Sequence, residues 1–521
     1  MKRLITILTI AIATANCASG QTPEIVTSRG ATGLSSANGK IFFQNADTIW
    51  ITDGTPNGTL PVKKIPQGKI TRFIACNGKT FFMGPTIDNG DFELWITDGT
   101  ESGTVVVKDI NASDGGCIDI FQPFNNKLYF IGDDGVNGQE LWVTDGTLAG
   151  TTMVKDINTG SNHGLQSWSH SIIYNGKLYF SANDGVNGEE LWTTDGTSAG
   201  TVMVKDIHPS GSSTPNTFAI FSSKLYFRAT DNTNGNELWV TDGTAGGTAL
   251  VKDINPGTGS SYISGLTSFN GKLYFTASAG FNFDVPYNIW QSDGTSSGTT
   301  VFEDSAMSLH VYKGQLYFGK ISGYTASSFD YALYKTDGTA LSTVKVKNID
   351  GGNSKHTPSY YTEVGGNLYF LCNHDNISGG ANYLDNDLWI TDGTAANTKL
   401  IRHASNSLVN VFVKSTNMIE YNGSLYFTQS NKLYKIAGVS TDLPSITSNE
   451  IDLSLYPNPA NSIINIETAE TIISVQVFNT IGELVQKETL PVFSIAQLQS
   501  GFYFVSIKTE KGVVIKRVMK E

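Results

Sequence analysis

Apolar side chains recur at every second position in short runs along most of this chain, and the runs are rich in aromatic and β-branched residues. Asn-Gly and Asp-Gly cut them apart, the turn chemistry that reverses a strand. Residues 176–207, GKLYFSANDGVNGEELWTTDGTSAGTVMVKDI, show the unit most cleanly. Trp50, Trp95, Trp142, Trp192, Trp239, Trp290 and Trp389 mark it, with Tyr334 filling the gap, at spacings of 44 to 55 residues. Each follows an aromatic pair such as Phe42-Phe43 or Tyr226-Phe227. A ninth pair, Tyr426-Phe427, is followed by Lys432-Leu433-Tyr434 and no Asp-Gly-Thr, so the ninth unit is incomplete.

Four short strands per unit are expected, in the fifth unit near Ser213 to Phe221, Lys224 to Ala229, Glu237 to Thr241 and Thr248 to Ile254. If Thr241 faces Thr248, Trp239 faces Leu250 and Glu237 faces Lys252. The same rule sets Glu93 against Lys108, Glu140 against Lys155 and Glu190 against Lys205, opposite charges at the open ends of four hairpins. Trp239 and Leu250 point one way, and Leu238, Val240 and Val251 the other. A sheet apolar on both faces is packed on both, as in the blades of a propeller. Residues 24–43 align with Leu250 to Phe275 as a fourth strand followed by the first two of a new unit, so Glu24 to Ser28 can complete the last blade. The expected fold class is all-β: a single large β-propeller of four-stranded blades, nine in number with eight as the alternative, over residues 21–437. An open solenoid is the competing architecture and would need polar caps.

The ends of the chain differ in kind. Met1 to Gly20 has a basic start, an apolar run from Leu4 to Ala15 and small residues before Gln21, the pattern of a cleaved secretory signal, too short to span a bilayer. Lipidation of Cys17 is the lesser alternative. After a polar linker at 438–450, residues 451–521 carry short alternating strands and no Asp-Gly-Thr, which suggests a small C-terminal β-sandwich. The formal net charge of −12 argues against nucleic acid and anionic membranes. Cys76, Cys117 and Cys372 fall in different units and make neither a disulfide framework nor a metal-ligand spacing. No further run is apolar for the length of a transmembrane segment.

Two resemblances rest on particular residues. The Glu-Leu-Trp triplets at 93, 140, 190 and 237, with Thr-Asp-Gly-Thr or Ser-Asp-Gly-Thr at 52, 97, 144, 194, 241, 292, 336 and 391, resemble the bacterial ELWxxDGT repeat family over residues 24 to about 436. That family implies no general activity. The tail resembles the type A C-terminal sorting domain of the type IX secretion system of Bacteroidota. The residues are Leu455-Tyr456-Pro457-Asn458-Pro459-Ala460, Val477-Phe478-Asn479 before Ile481-Gly482, Leu498 with Gly501-Phe502-Tyr503, and the basic Lys516-Arg517 and Lys520. This resemblance implies export through the periplasm, recognition by that secretion machinery, and release or attachment at the outer cell surface.

The Asp of each Asp-Gly-Thr is expected to cap its own turn rather than form a carboxylate array. The loops Asp133 to Glu140, Asn183 to Glu190 and Asp231 to Glu237 gather oxygen ligands, so calcium is a candidate ion, but the spacing is not that of an EF-hand and a solvated turn competes; no cofactor or metal site is assigned. The seven histidines are scattered, and no catalytic set emerges. Loop length is the more informative signal. From the Phe ending the second strand to the aromatic of the third, the gaps run 7, 13, 12, 12, 12, 15, 16, 19 and 7. The long loops of units 6 to 8 are aromatic: Phe281, Phe283 and Tyr287; Tyr324, Phe329 and Tyr331; Tyr383 with Asp385 and Asp387. Trp168, Tyr262, Tyr360 and Tyr361 lie on inter-unit stretches near the same face. Such rings beside carboxylates suit sugar or peptide, against the alternative that they pack down onto the blades. The expectation is a secreted binding module for glycan or protein. The alternative is a polysaccharide hydrolase or lyase using Asp284, Asp330, Asp385, Asp387 or Glu363, which would need two carboxyls about 5 to 10 Å apart.

Overall fold

Unit 5 shows how the alternation becomes structure. Asn216–Phe221, Lys224–Asp231, Gly235–Thr241 and Ala249–Lys252 pair antiparallel in that order. Both faces of the sheet are buried. On one, Leu225, Phe227 and Trp239 pack with Tyr179 and Leu191 of unit 4. On the other, Tyr226 and Leu238 pack with Leu273 and Phe275 of unit 6. Each such side chain contributes about 1.5–3 kcal/mol when withdrawn from water, which is why a unit with two apolar faces is stable only between neighbours.

The computed structural model describes residues 23–28, 30–65, 70, 73–86, 91–166, 170–278, 287–325, 328–349, 358–375, 384–402, 418–429, 432–437, 453–479, 484–509 and 513–521. Among them are nine four-stranded sheets of the unit 5 kind, beginning at Thr32, Ile74, Cys117, Ser171, Asn216, Ser264, Ala306, Pro358 and Met418. The ninth is Met418–Tyr421, Ser424–Gln429 and Lys432–Ala437, completed by the N-terminal strand Glu24–Thr27, with Glu24 opposite Lys435 and Ile25 opposite Tyr434. The first strand of every unit meets that of the next, and unit 9 meets unit 1. The chain from 24 to 437 is therefore a closed nine-bladed propeller, its last blade shared between the two ends of the sequence.

The charged hairpin pairs require correction. Trp239 does face Leu250, but a bulge between Leu238 and Trp239 sets Leu238, not Glu237, opposite Lys252. The same bulge recurs at Leu94, Leu141 and Leu191. One inserted residue sends side chains that would have met to opposite faces. Lys108, Lys155 and Lys205 instead reach the next unit and donate to the carbonyls of Thr151, Thr201 and Thr248 at 2.9, 2.8 and 2.7 Å. Lys108 and Lys155 also stand over the Trp142 and Trp192 rings.

Each Asp-Gly-Thr turn closes on itself. Asp242 Oδ1 accepts the Thr244 amide at 2.9 Å and its hydroxyl at 2.7 Å, and seven further turns repeat the pattern. Gly243 sits at φ +97°, and a Cβ there would stand 2.5 Å from the Tyr179 hydroxyl of the preceding unit. Glycine is required here twice over, by backbone conformation and by space.

The C-terminal unit is a two-sheet sandwich. Leu453–Tyr456, Ile463–Thr468 and Val492–Ser494 form one sheet. Leu484–Glu488, Ile472–Phe478, Gly501–Thr509 and Val513–Lys520 form the other. Ile464, Ile466 and Phe493 meet Val475, Val477, Val505 and Ile507 between them. The two short strands at 484 and 492 escape the sequence pattern.

Candidate functional site

Antiparallel pairing puts the loops between second and third strands, and the loops between units, at one end of the blades. Hydrogen bonds join the two sets: Gly164 donates to the Gln139 carbonyl at 2.9 Å, Ser213 to that of Glu189 at 2.9 Å, and Ser261 to that of Asn236 at 3.0 Å. His163 is one of the fasteners, its Nδ1 accepting the Gln139 amide at 3.0 Å. The acidic loops close on themselves: Asp134 accepts the amides of Val136 and Asn137, Asp184 those of Val186 and Asn187, and Asp231 those of Thr233 and Asn234. Among the described residues, no three His, Cys, Asp or Glu side chains are grouped to hold a metal ion.

Beneath this face lie the glutamates of the Glu-Leu-Trp triplets. Glu140 is fully buried and its carboxylate accepts the amides of Ile157 and Asn158 at 2.9 and 3.0 Å. Glu190 takes the Ile207 amide and the Ser213 hydroxyl, Glu237 the amide of Ile254, and Glu93 that of Gly116. Burial pushes Glu93, Glu140 and Glu237 up to about 7, against the pull of the amide donors. These residues pin the inter-unit loops; they are not placed to meet a ligand.

The first strands of units 1 and 5 to 8 share a bulge near this end, and its left-handed residue is Gly33 at φ +64°, Thr217 at +55°, Gly265 at +66°, Ser308 at +63° and Tyr360 at +51°. Non-glycine residues held there store strain, which clusters at functional sites. Tyr360 is 44% exposed. Nearby, His310 stacks on Tyr361 at 5.0 Å and its Nε2 lies 3.3 Å from Glu363 Oε1. Burial lowers the His310 pKa while Glu363 pulls it back. A neutral imidazole backed by a carboxylate can hold a hydroxyl-bearing ligand or accept its proton.

The expected ligand residues divide among several settings. Tyr287 is half-buried at the head of the third strand of unit 6, and its carbonyl accepts the Ala306 amide. The expected long loop of unit 7 is largely strand: Gln315–Thr325 and Ser328–Thr336 pair to their ends, Tyr324 opposite Phe329 and Tyr331 opposite Ile321. Its alternation simply continues, so the hairpin extends instead of opening. Tyr331 is buried in the blade at 6% exposure. In unit 8 the strands likewise lengthen, with Asp385 opposite His374, and Asp387 is 5% exposed. Phe281, Phe283, Asp284, Tyr383, Trp168 and Gly482 lie outside the described residues, as do the leader at 1–20 and the linker at 438–450.

Arg228, whose Nη1 donates to the Ile263 carbonyl at 3.0 Å, is a residue that single-motif reasoning missed. The signal was there in the repeat: the residue after the second-strand Phe is Gln44, Met83, Ile131, Ser181, Thr276, Gly319, Leu371 or Thr428 in the other units, and a cation only in unit 5.

In the tail, Asn458 ties the Tyr456–Ala460 segment to the last strand: its amide donates to the Arg517 carbonyl and its Oδ1 accepts the Met519 amide, both at 2.9 Å. Pro457 and Pro459 both follow cis peptide bonds. Tyr503 donates to the Gln499 carbonyl at 2.9 Å, and Gly501 holds φ +152°.

Residues 454–521 match the family described as a secretion system C-terminal sorting domain. The tail is thus a sorting domain of the type IX system, and the protein is one exported to the cell surface or secreted. No curated protein matches the chain. Among solved structures it is similar to PorZ, a surface component of the type IX secretion system of Porphyromonas gingivalis, at 12% identity, 96% of this chain and 71% of that one, TM-score 0.34. It is similar also to the extracellular domain of a one-component system of B. thetaiotaomicron, at 10% identity, 96% and 74% coverage and TM-score 0.32. A puromycin-hydrolyzing peptidase of Mycobacterium tuberculosis gives 11% identity and TM-score 0.36 over 69% of this chain, which spans 57% of that peptidase. The fold assignment rests on the strand pairings.

Proposed function

We propose that this chain is an extracellular binding module of the ELWxxDGT-repeat kind, its propeller over residues 21–437 presenting glycan or protein with the face that carries the loops of units 6 to 8. A cleaved leader at 1–20 starts export, the linker at 438–450 joins the propeller to the sorting domain at 451–521, and the type IX machinery is the partner of that domain. The observation that supports the site is the strained rim: Ser308 and Tyr360 hold left-handed backbone on adjacent first strands, beside the stacked pair of His310 and Tyr361. Phe281, Phe283, Tyr287, Tyr324, Tyr383 and Asp385 are the ligand contacts in this reading, without Tyr331, which is buried in its blade. The test is the secreted full chain on glycan and protein arrays beside the Phe283→Ala, Tyr324→Ala, Tyr383→Ala triple variant. Binding lost with an unchanged melting curve supports the site; unchanged binding sinks it.

A further inference from the structure

The sorting domain buries one set of apolar side chains and presents another. In its four-stranded sheet Val475, Val477, Val505, Ile507 and Val518 point into the core, so the residues that alternate with them face outward. Register sets Phe504 between Phe478 and Arg517, and Phe502 beside Met519. Phe502, Phe504 and Met519 are 46%, 40% and 40% exposed, and the Arg517 guanidinium stands 5.1 Å from the centre of the Phe502 ring. A single exposed apolar residue is ordinary, but apolar side chains adjoining across three neighbouring strands form a patch of the kind that marks an interaction site.

Charge narrows the partner. On the same face, register turns Lys487 outward opposite Gln476 and Lys508 outward opposite Ser474, and both are exposed, as is Arg517. Glu488, the acidic residue of these strands, stands opposite inward-facing Val475. Residues 451–521 hold seven acidic and six basic residues, so a face whose charges are all cationic reflects placement, not composition. An apolar surface bordered by carboxylates fits it, because the cations keep partners when the rings leave water. A domain that matches a secretion sorting family has its partner among the proteins of that machinery.

We infer that this aromatic, cationic face docks on an acid-bordered apolar surface of a type IX secretion protein. The inference rests on the reading that the machinery is the partner of residues 451–521, and it names the surface that is gripped. The test is cell fractionation of the full chain, with a melting curve for each purified variant. Phe502→Ser with Phe504→Ser removes the rings, and Lys508→Glu with Arg517→Glu reverses the charge. Ile463→Ser with Val492→Ser, exposed on the other sheet, is the control. Each face variant should reach the cell surface about tenfold less than the parent and accumulate in the periplasm with an unchanged melting curve, while the control is delivered normally. Should one face variant fail to fold, the other carries the test. A folded face variant delivered like the parent overturns the docking face, and so does an equal loss in the control. Flotation of the full chain with vesicles of phosphatidylcholine and phosphatidylglycerol separates a protein partner from an anionic membrane: binding that both face variants lose overturns the protein assignment, and no binding supports it. The two readings fail separately. Delivery unchanged after deletion of residues 451–521 sinks the underlying reading, whereas delivery lost on deletion but kept in the face variants sinks only this face.

Discussion

The hydroxyl of Tyr426, in the last unit, stands 1.8 Å from where a Cβ on Gly54, in the first, would be. Sequence neighbours repeat this relationship across the ring: Tyr129 with Gly196, Tyr179 with Gly243, Tyr226 with Gly294 and Tyr317 with Gly393, each at 2.4 or 2.5 Å. The tyrosine of the second strand and the glycine of the Asp-Gly-Thr turn are thus one device, read in successive units. Closing the ring uses it once more, between residues 372 positions apart in the sequence.

Gly243→Ala therefore destabilises the propeller by about 2–4 kcal/mol, from overpacking and left-handed strain together. Gly160→Ala, at φ +99° with open space around the added Cβ, isolates the strain alone and costs about 1 kcal/mol. Because the next atom of Tyr179 is 3.7 Å away, removing its hydroxyl in Tyr179→Phe recovers the packing part of the loss in the double variant. Urea denaturation of the four proteins measures the cycle; no recovery would dissolve the device.

The bulge that separates Glu140 from Lys155 predicts that the two side chains are energetically independent. Glu140→Ala orphans the buried amides of Ile157 and Asn158 and costs about 2 kcal/mol or more. Lys155→Ala loses an inter-unit bond and a cation over Trp192, about 1 kcal/mol. The double variant loses their sum. A coupling above about 1 kcal/mol would restore the ion pair that the alternation alone suggests.

Much of this fold was legible because a repeat states its rule many times. Nine aromatic pairs and the match of residues 24–43 to Leu250–Phe275 were enough to expect the nine blades and the N-terminal strand that closes them. What stayed hidden were one-residue events. A bulge before each Trp leaves the alternation intact in the sequence yet moves Glu237 into the core and Lys252 to the neighbouring unit. The unit 7 loop was misjudged for a related reason: gap length does not distinguish an open loop from a lengthened hairpin, and Tyr324 and Phe329 turned out to be a pair. Arg228 was visible only as a break in a column of uncharged residues, which requires aligning the units against one another.

Acid and alkali act on different parts of the repeat. Burial raises Glu93, Glu140 and Glu237 to about 7 from an ordinary 4.5, so the folded chain binds more protons than the unfolded one between those values. Their contribution is complete below about 4.5 and is lost as pH rises through 7. The turn aspartates Asp98, Asp145, Asp195 and Asp242 run the other way: the threonine hydroxyl bond lowers them from 3.8, so their contribution is present above that value and lost in acid. The melting temperature should peak near pH 4 to 5, decline as pH rises to about 7 and level off above it. Glu140→Gln, a fixed mimic of the protonated acid, should flatten that decline; a slope identical to the parent's would mean that Glu140 is ionised throughout.

The tail matches a sorting domain, and Asn458 is where a dependence of export on its folded state can be tested. Its side chain bonds both Arg517 and Met519, so it fixes the start of the domain against its final strand, while the Ala460 amide adds a bond to the Met519 carbonyl at 2.8 Å. Asn458→Ala removes a donor and an acceptor at once, about 1–2 kcal/mol in a unit of 82 residues whose core is a single layer between two sheets. Asn458→Asp keeps the acceptor toward Met519 and loses only the donor. Cell fractionation should find the alanine variant held in the periplasm and the aspartate variant divided between periplasm and surface, with the propeller folded in both. Normal surface delivery of Asn458→Ala would show that the machinery reads the residues of the tail one by one and does not need this clamp.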